Sequence, residues 1–352
     1  MTRISWLLLP SAVMLQIFSS AAMWFGADHS IWLFVGRGIA GAAVGLATGS
    51  TATLVVAAIG ESGRTAVATS AIGGSAVGLL TATAVTALSE QPDHLAYQLH
   101  MFVLAVSLVA LAATTVAARP MLRRSFAKAR VDPPPRRDAT TVVPRRQRLA
   151  ALGIGAAGWA VGGLAAGTIP SIVKEQFSTD FILVVMAAPL LLMSAAWISP
   201  RLLRAVRIEL GGGKALVLIA LGGAALACAV GFQQLWLILV GGLVWGLGQG
   251  SAYAYGLSVL TRGLPPVQQG RTASAYAACA YAFTAITVIT TGAVSSLAGN
   301  TAGMVYAAAL LGALCLAVAL LGYTGASPVP IYRAEITTGE LASRAPTRES
   351  LR

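Results

Sequence analysis

The chain has 352 residues, of which 57% are hydrophobic and only 10% charged, and its mean hydropathy is +0.77. A soluble domain carries about 25% charged residues, so a chain of this composition cannot cover its own surface in water and is excluded as a soluble globular protein. The formal net charge is +12, and its placement along the chain decides what it means.

A bilayer core about 30 Å thick needs roughly 20 apolar residues of helix to cross it. Ten segments reach that length, at 4–25, 31–59, 66–88, 98–118, 148–172, 181–199, 214–232, 235–260, 271–297 and 302–323. The first follows Arg3 and could be a signal peptide ending near Ser20-Ala21-Ala22. It is read as a retained helix, because the apolar run continues through Trp24 and Phe25. The second carries Arg37 and the stripe Gly41-x-x-x-Gly45-x-x-x-Gly49-Ser50, and the third opens with Gly63-Arg64-Thr65-Ala66. After the fourth comes a hydrophilic stretch at 119–147 with Arg123-Arg124, Pro133-Pro134-Pro135, Arg136-Arg137 and Arg145-Arg146. Its charge and prolines preclude a packed core, so a flexible linker is expected there.

The fifth span holds Trp159, and Pro200-Arg201-Leu202-Leu203-Arg204 reads as a turn after the sixth. Between the seventh and eighth spans only Gly231 and the amides Gln233-Gln234 mark a turn. A cut is required there, since 215–260 is far too long for one crossing. The eighth span carries Gly242-x-x-x-Gly246-x-x-x-Gly250-Ser251, and the ninth opens with Gly270-Arg271-Thr272-Ala273. The expected organisation is all-α: a four-helix membrane bundle at 1–118, a basic linker at 119–147, a six-helix bundle at 148–323 and a tail at 324–352. Cys228, Cys279 and Cys315 all fall in apolar stretches and read as small buried hydrophobes, neither a disulfide framework nor a metal site.

With the N-terminus in the cytoplasm and ten alternating spans, 22 of the 24 Lys and Arg residues fall on the cytoplasmic side. Only Lys174 falls outside, and Arg37 lies within a span. This asymmetry follows the positive-inside rule. It predicts a multi-pass protein of the cell (inner) membrane with both termini cytoplasmic. The basic excess is thereby topological. No nucleic-acid partner is expected, since beyond Phe126 no aromatic residue interleaves with the arginines.

The two glycine stripes stand 201 residues apart, and the two Gly-Arg-Thr-Ala tetrapeptides 207 apart. Both tetrapeptides open a span from the same side, which predicts a parallel repeat. Spans 1 to 4 then match spans 7 to 10, and spans 5 and 6 stand without partners. In this the chain resembles the major facilitator superfamily, whose fold is two parallel six-helix halves joined by a basic cytoplasmic loop. Spans 1 to 10 would be the family's third to twelfth helices, the first half being short by two. Arg37-Gly38-x-Ala40-Gly41-x-x-x-Gly45 is similar to an element of the family's fourth helix, and Pro200 to Arg204 before Gly211 to the loop midway through its second half. The Gly-Pro pair of the fifth-helix antiporter motif has no match, for Gly73-Gly74 and Gly78 stand without proline. The resemblance implies transport of a small organic solute by alternating access, with no cofactor, and lipid and solute as partners. The alternative expectation is a helix-short relative that does not transport and has a structural or interaction role, or a chain whose start lies upstream.

A charge within a span is costly and generally faces a cavity or a partner. Arg37 is therefore expected to bind a polar or anionic solute group or to gate a cavity; otherwise it snorkels to headgroups or pairs with Asp28. Gln249, with Trp245 four residues before and Tyr253 four after, is expected on one helical face, either as a solute surface or in interhelical hydrogen bonds. The resemblance places the helices of Arg37, Trp159 and Gln249 around a central cavity, and Gln16 in the first span is a further candidate. Arg64 and Arg271 are expected to anchor the topology or to gate the cytoplasmic face. Gly41, Gly45, Gly49, Gly242, Gly246 and Gly250 are expected as packing surfaces, because small residues let helices approach closely. All twelve carboxylates fall in loops or tails, so no acid inside the membrane is expected to couple protons. No metal-ligand spacing, paired acids or phosphate-binding loop supports an enzyme.

Overall fold

The computed structural model describes residues 2–26, 29–60, 62–131, 143–206, 208, 210–262, 264 and 266–322. Asp28, most of the central linker and the tail at 324–352 lie outside the described residues, as do the side chains of Arg64 and Arg204. The fold is all-α, with eleven helices among the described residues: α1 (Thr2–Phe25), α2 (Ser30–Ile59), α3 (Ser62–Leu88), α4 (Pro92–Val131), α5 (Arg145–Gly167), α6 (Ile169–Gln176), α7 (Ile182–Ala205), α8 (Gly212–Gly231), α9 (Leu235–Thr261), α10 (Pro266–Ala298) and α11 (Asn300–Gly322). Taking α5 and α6 as one, these are ten helices long and apolar enough to cross a membrane. The protein is thus a polytopic membrane protein, and its outer helix faces meet lipid.

Turn chemistry sets the tight connections. Gly60 ends α2 at φ 71° and Gly299 separates α10 from α11 at φ 89°, a region glycine enters without the Cβ penalty of other residues. The amide pair between α8 and α9 does form a turn. Gln233 takes φ 55°, and the Gln234 N–H donates back to the Ala229 carbonyl at 2.8 Å.

Four expectations need correction. Helix α4 runs past residue 118 to Val131, because Met121 to Arg130 are mostly strong helix formers. The stretch from Pro200 to Arg204 is the last helical part of α7, not a turn. The fifth span breaks at Thr168 into α5 and α6. Pro170 has no N–H for the carbonyl four residues back, and its ring crowds that carbonyl, so the axis is interrupted there. Cys228 and Cys279 are exposed, not buried, and only Cys315 is enclosed; in lipid an outward-facing thiol has no apolar surface to seek.

Helix α1 packs on α2 and α4, and α8 packs on α9 and α11. Helix α9 is largely enclosed, seated against α5, α7 and α8. Its glycines explain how. A Cβ on Gly242, Gly246 or Gly250 would overlap or crowd the carbonyl oxygens of Ala188, Leu192 and Ala196, respectively. Each glycine faces the α7 residue 54 positions earlier, so the two helices run parallel and in register. Without a hydrophobic drive in lipid, such close backbone contact supplies the association energy. The expected packing role thus describes the α9 stripe well. The α2 stripe differs: Gly49 meets Gly270 and Ser274 of α10, whereas among the described residues nothing would lie within 4 Å of a Cβ on Gly41 or Gly45.

Two apolar clusters hold the bundles. The larger joins α5, α7, α8, α9 and α11 around Leu164, Leu192, Ile219, Leu226 and Leu311. The second bridges the two halves: Ala52 of α2 with Ala68 and Ile72 of α3, against Ala196, Leu257, Leu260 and Ala273. It sits toward the end at which α2, α7 and α9 finish and α3, α5 and α10 begin, here termed the basic end because Arg201, Arg262 and Arg271 lie there.

Candidate functional site

Where α5, α9 and α10 converge, four aromatic residues gather. The ring centroids of Trp159 and Tyr253 are 4.8 Å apart, those of Trp159 and Tyr281 are 5.2 Å apart and nearly perpendicular, and those of Tyr253 and Tyr276 are 5.1 Å apart. These separations are typical of attractive aromatic pairs, whose electron-rich faces prefer tilted or edge contacts. Glycine makes the junction possible. A Cβ on Gly155 of α5 or Gly256 of α9 would overlap the Tyr276 hydroxyl, which instead donates to the Tyr253 carbonyl at 2.9 Å. Tyr276 is enclosed, while Trp159 is partly exposed and Tyr281 is 42% exposed. The cluster therefore has one open edge.

One turn before Tyr253, Gln249 is 2% exposed, and its side-chain Oε1 has no partner among the described residues. A Cβ on Gly162 would stand 2.7 Å from the Gln249 Nε2 and 3.0 Å from the Met193 methyl, so the amide is lodged between α5 and α7. A buried polar atom left unpaired costs about 1–3 kcal/mol. Burial without satisfaction marks Gln249 as a candidate functional group.

Of the residues singled out from the sequence, the fold brings together Trp159, Gln249 and Tyr253. Trp245 belongs elsewhere. It is fully buried and donates its indole N–H to the Ile219 carbonyl of α8 at 2.8 Å, beside Gly222. The expectation that it shares one face with Tyr253 fails because every fourth residue turns about 40° further around a helix. Gln16 sits on α1 near its seam with α4: its backbone carbonyl accepts the Ser20 hydroxyl at 3.0 Å, Ser20 also bonds His100 Nδ1 at 2.9 Å, and the Gln16 side-chain Oε1, like that of Gln249, is buried without a partner among the described residues. Arg37 is exposed on α2, with no hydrogen bond or ion pair to a described residue. Arg271 is exposed in the first turns of α10.

Tyr276, Tyr281, Gly162 and Met193 escaped the sequence reading. The two tyrosines offered a signal, being phenols within an otherwise Ala-rich span, since a buried hydroxyl needs a partner.

Set beside protein-family models and curated proteins, the chain finds no match. The class that the fold defines is a polytopic α-helical membrane protein of ten candidate spans.

Proposed function

We propose that this membrane protein carries a small organic solute across the cell membrane by alternating access, with an architecture like that of the major facilitator superfamily and no enzymatic activity. One observation carries the reading. The two halves meet through an apolar seal, Ala52, Ala68 and Ile72 against Leu257, Leu260 and Ala273, which continues into Tyr253 and Tyr276 with Trp159 packed against them; the open edge of this aromatic end is at Tyr281. A solute-binding surface separated from one face by a breakable apolar contact is what alternating access requires. The helix packing supports the duplicated plan: α1 on α2 and α4 parallels α8 on α9 and α11. In this reading the basic end is cytoplasmic, as the positive-inside rule requires. Trp159 and Tyr281 present faces to the solute, Gln249 offers an acceptor when the halves move apart, and Arg271 flanks the gate.

The test is flux. The purified chain in proteoliposomes is offered a panel of radiolabelled organic solutes, with Trp159→Ala and Tyr281→Ala as comparisons. Substrate-dependent uptake lost in both variants supports the reading, and absence of uptake with every solute removes it. A membrane protein that does not transport and has an interaction role is the second reading, favoured by the uncovered Gly41 and Gly45 of α2.

A further inference from the structure

We propose that His100, in the seam of α1 and α4, is a proton-binding site that couples solute movement to a proton gradient. The coupling rests on the transport reading; the proton site does not. His100 lies about two turns into α4, toward the end opposite the basic end. Its Nδ1 and the Ser20 hydroxyl of α1 are 2.9 Å apart, and the same hydroxyl donates to the Gln16 carbonyl at 3.0 Å. Ser19 beside it ties α1 to α2 by donating to the Gly36 carbonyl at 2.8 Å, which holds this turn of α1 in place. A hydroxyl has one proton to donate. Since that proton goes to Gln16, the contact with His100 requires Nδ1–H as its donor. The neutral ring then carries its lone pair on Nε2, which has no partner among the described residues, and the His100 side chain is exposed. One hydrogen bond thus sets the tautomer and leaves the other nitrogen open to a proton.

The polar atoms alongside favour the loaded form. Gln16, one turn along α1 from Ser20, has a buried Oε1 without a partner among the described residues. A neutral ring protonated at Nδ1 has no second donor to offer it, whereas the imidazolium has one at Nε2. One turn the other way, the Trp24 indole N–H is also buried and unpartnered among the described residues, and its ring meets that of His94 edge-on at 6.3 Å. Gln16, Ser20 and Trp24 therefore draw a polar line along α1. An interhelical bond serving packing alone would work with either tautomer and needs no unpaired groups beside it. Histidine changes charge between roughly pH 5 and 8, and an ionisable residue inside a span is generally functional. Among the described side chains, α1 and α3 carry no titratable group, α2 carries His29 and Arg37, and α4 carries Asp93, His94 and Tyr97 near the same end. No ion pair to His100 exists among the described residues, so no carboxylate fixes the ring in its charged form. The proton can leave as well as arrive.

The chain has three histidines, so His29→Gln with His94→Gln leaves His100 as the single imidazole. That variant, labelled with 15N-histidine, purified without a polyhistidine tag and placed in lipid nanodiscs, reports the protonation of each ring nitrogen by its chemical shift. At alkaline pH the proton is expected on Nδ1, and acid adds a second at Nε2 within the range of roughly pH 5 to 8. Ser20→Ala should return the neutral ring to the Nε2–H tautomer, and Gln16→Leu should expose the Nε2–H of the acid form to faster exchange with water. An Nε2–H tautomer with Ser20 present overturns the proposal, as does a ring that takes no second proton in that range. Coupling is read separately, in proteoliposomes with the solute that the flux assay identifies. For one proton per solute, a gradient of one pH unit should change its steady-state distribution by up to about tenfold, and His100→Gln should remove that response. A native distribution indifferent to the gradient overturns the coupling. Absence of uptake with every solute removes the transport reading and the coupling together, and the nitrogen shifts then decide the proton site alone.

Discussion

Gly246 of α9 and Leu192 of α7 are in such close backbone contact that a single added methyl group on the glycine would overlap the leucine carbonyl oxygen. Gly45, which holds the same place in the glycine stripe of α2, has no described atom within 4 Å of an added Cβ. Two glycines in the same local sequence pattern therefore serve different ends, and substitution separates them.

Gly246→Val should destabilise the purified chain by ~1–3 kcal/mol, the cost of overpacking a filled contact. Gly45→Val should shift stability by less than about 0.5 kcal/mol, as surface changes do. Thermal melts in detergent check this, and equal losses at the two sites would mean that α2 is packed after all.

Trp245 holds the α8–α9 seam through its bond to the Ile219 carbonyl. Trp245→Phe should lower stability by at least the ~0.6–1.7 kcal/mol of a membrane hydrogen bond, with an added cavity cost from the missing ring. Uptake by the folded fraction should persist, since Trp245 lies away from the aromatic cluster. Loss of flux from a stably folded variant would return Trp245 to the solute path.

Gln249→Leu offers the opposite signature. Removing an amide oxygen that has no partner should leave the melting temperature unchanged or raised, because the unpaired-group penalty disappears. Solute uptake should fall severely. A variant that is destabilised and still transports would make Gln249 a structural residue.

The seal can be locked. A Cβ on Gly49 stands 3.4 Å from the Ser274 Cβ, close to the span of a disulfide. With Cys228, Cys279 and Cys315 replaced by Ala, Gly49→Cys with Ser274→Cys should cross-link on mild oxidation. That bond should abolish uptake, and reductant should restore it. Unimpaired transport by the fully cross-linked protein would show that the bundles need not part at α2 and α10.

Helices were legible because spanning lipid is a local demand: each segment must supply its own length of apolar residues and satisfy its own backbone. The boundaries that moved did so for local reasons also, Pro170 breaking the fifth span and helix-forming residues prolonging α4. The site was only partly legible. The chain itself marked Gln249 and Tyr253 as polar or aromatic residues inside a span, and Trp159 was marked only by the family resemblance, but Tyr276 and Tyr281 gained their meaning from the approach of α10 to α5 and α9. The same limit applies to the glycine stripes, whose spacing determines that a helix could approach closely and on which face. Whether one does was decided in three dimensions, where α7 fills the α9 stripe and leaves that of α2 open, because contact between distant segments is a property of their arrangement and not of either sequence alone.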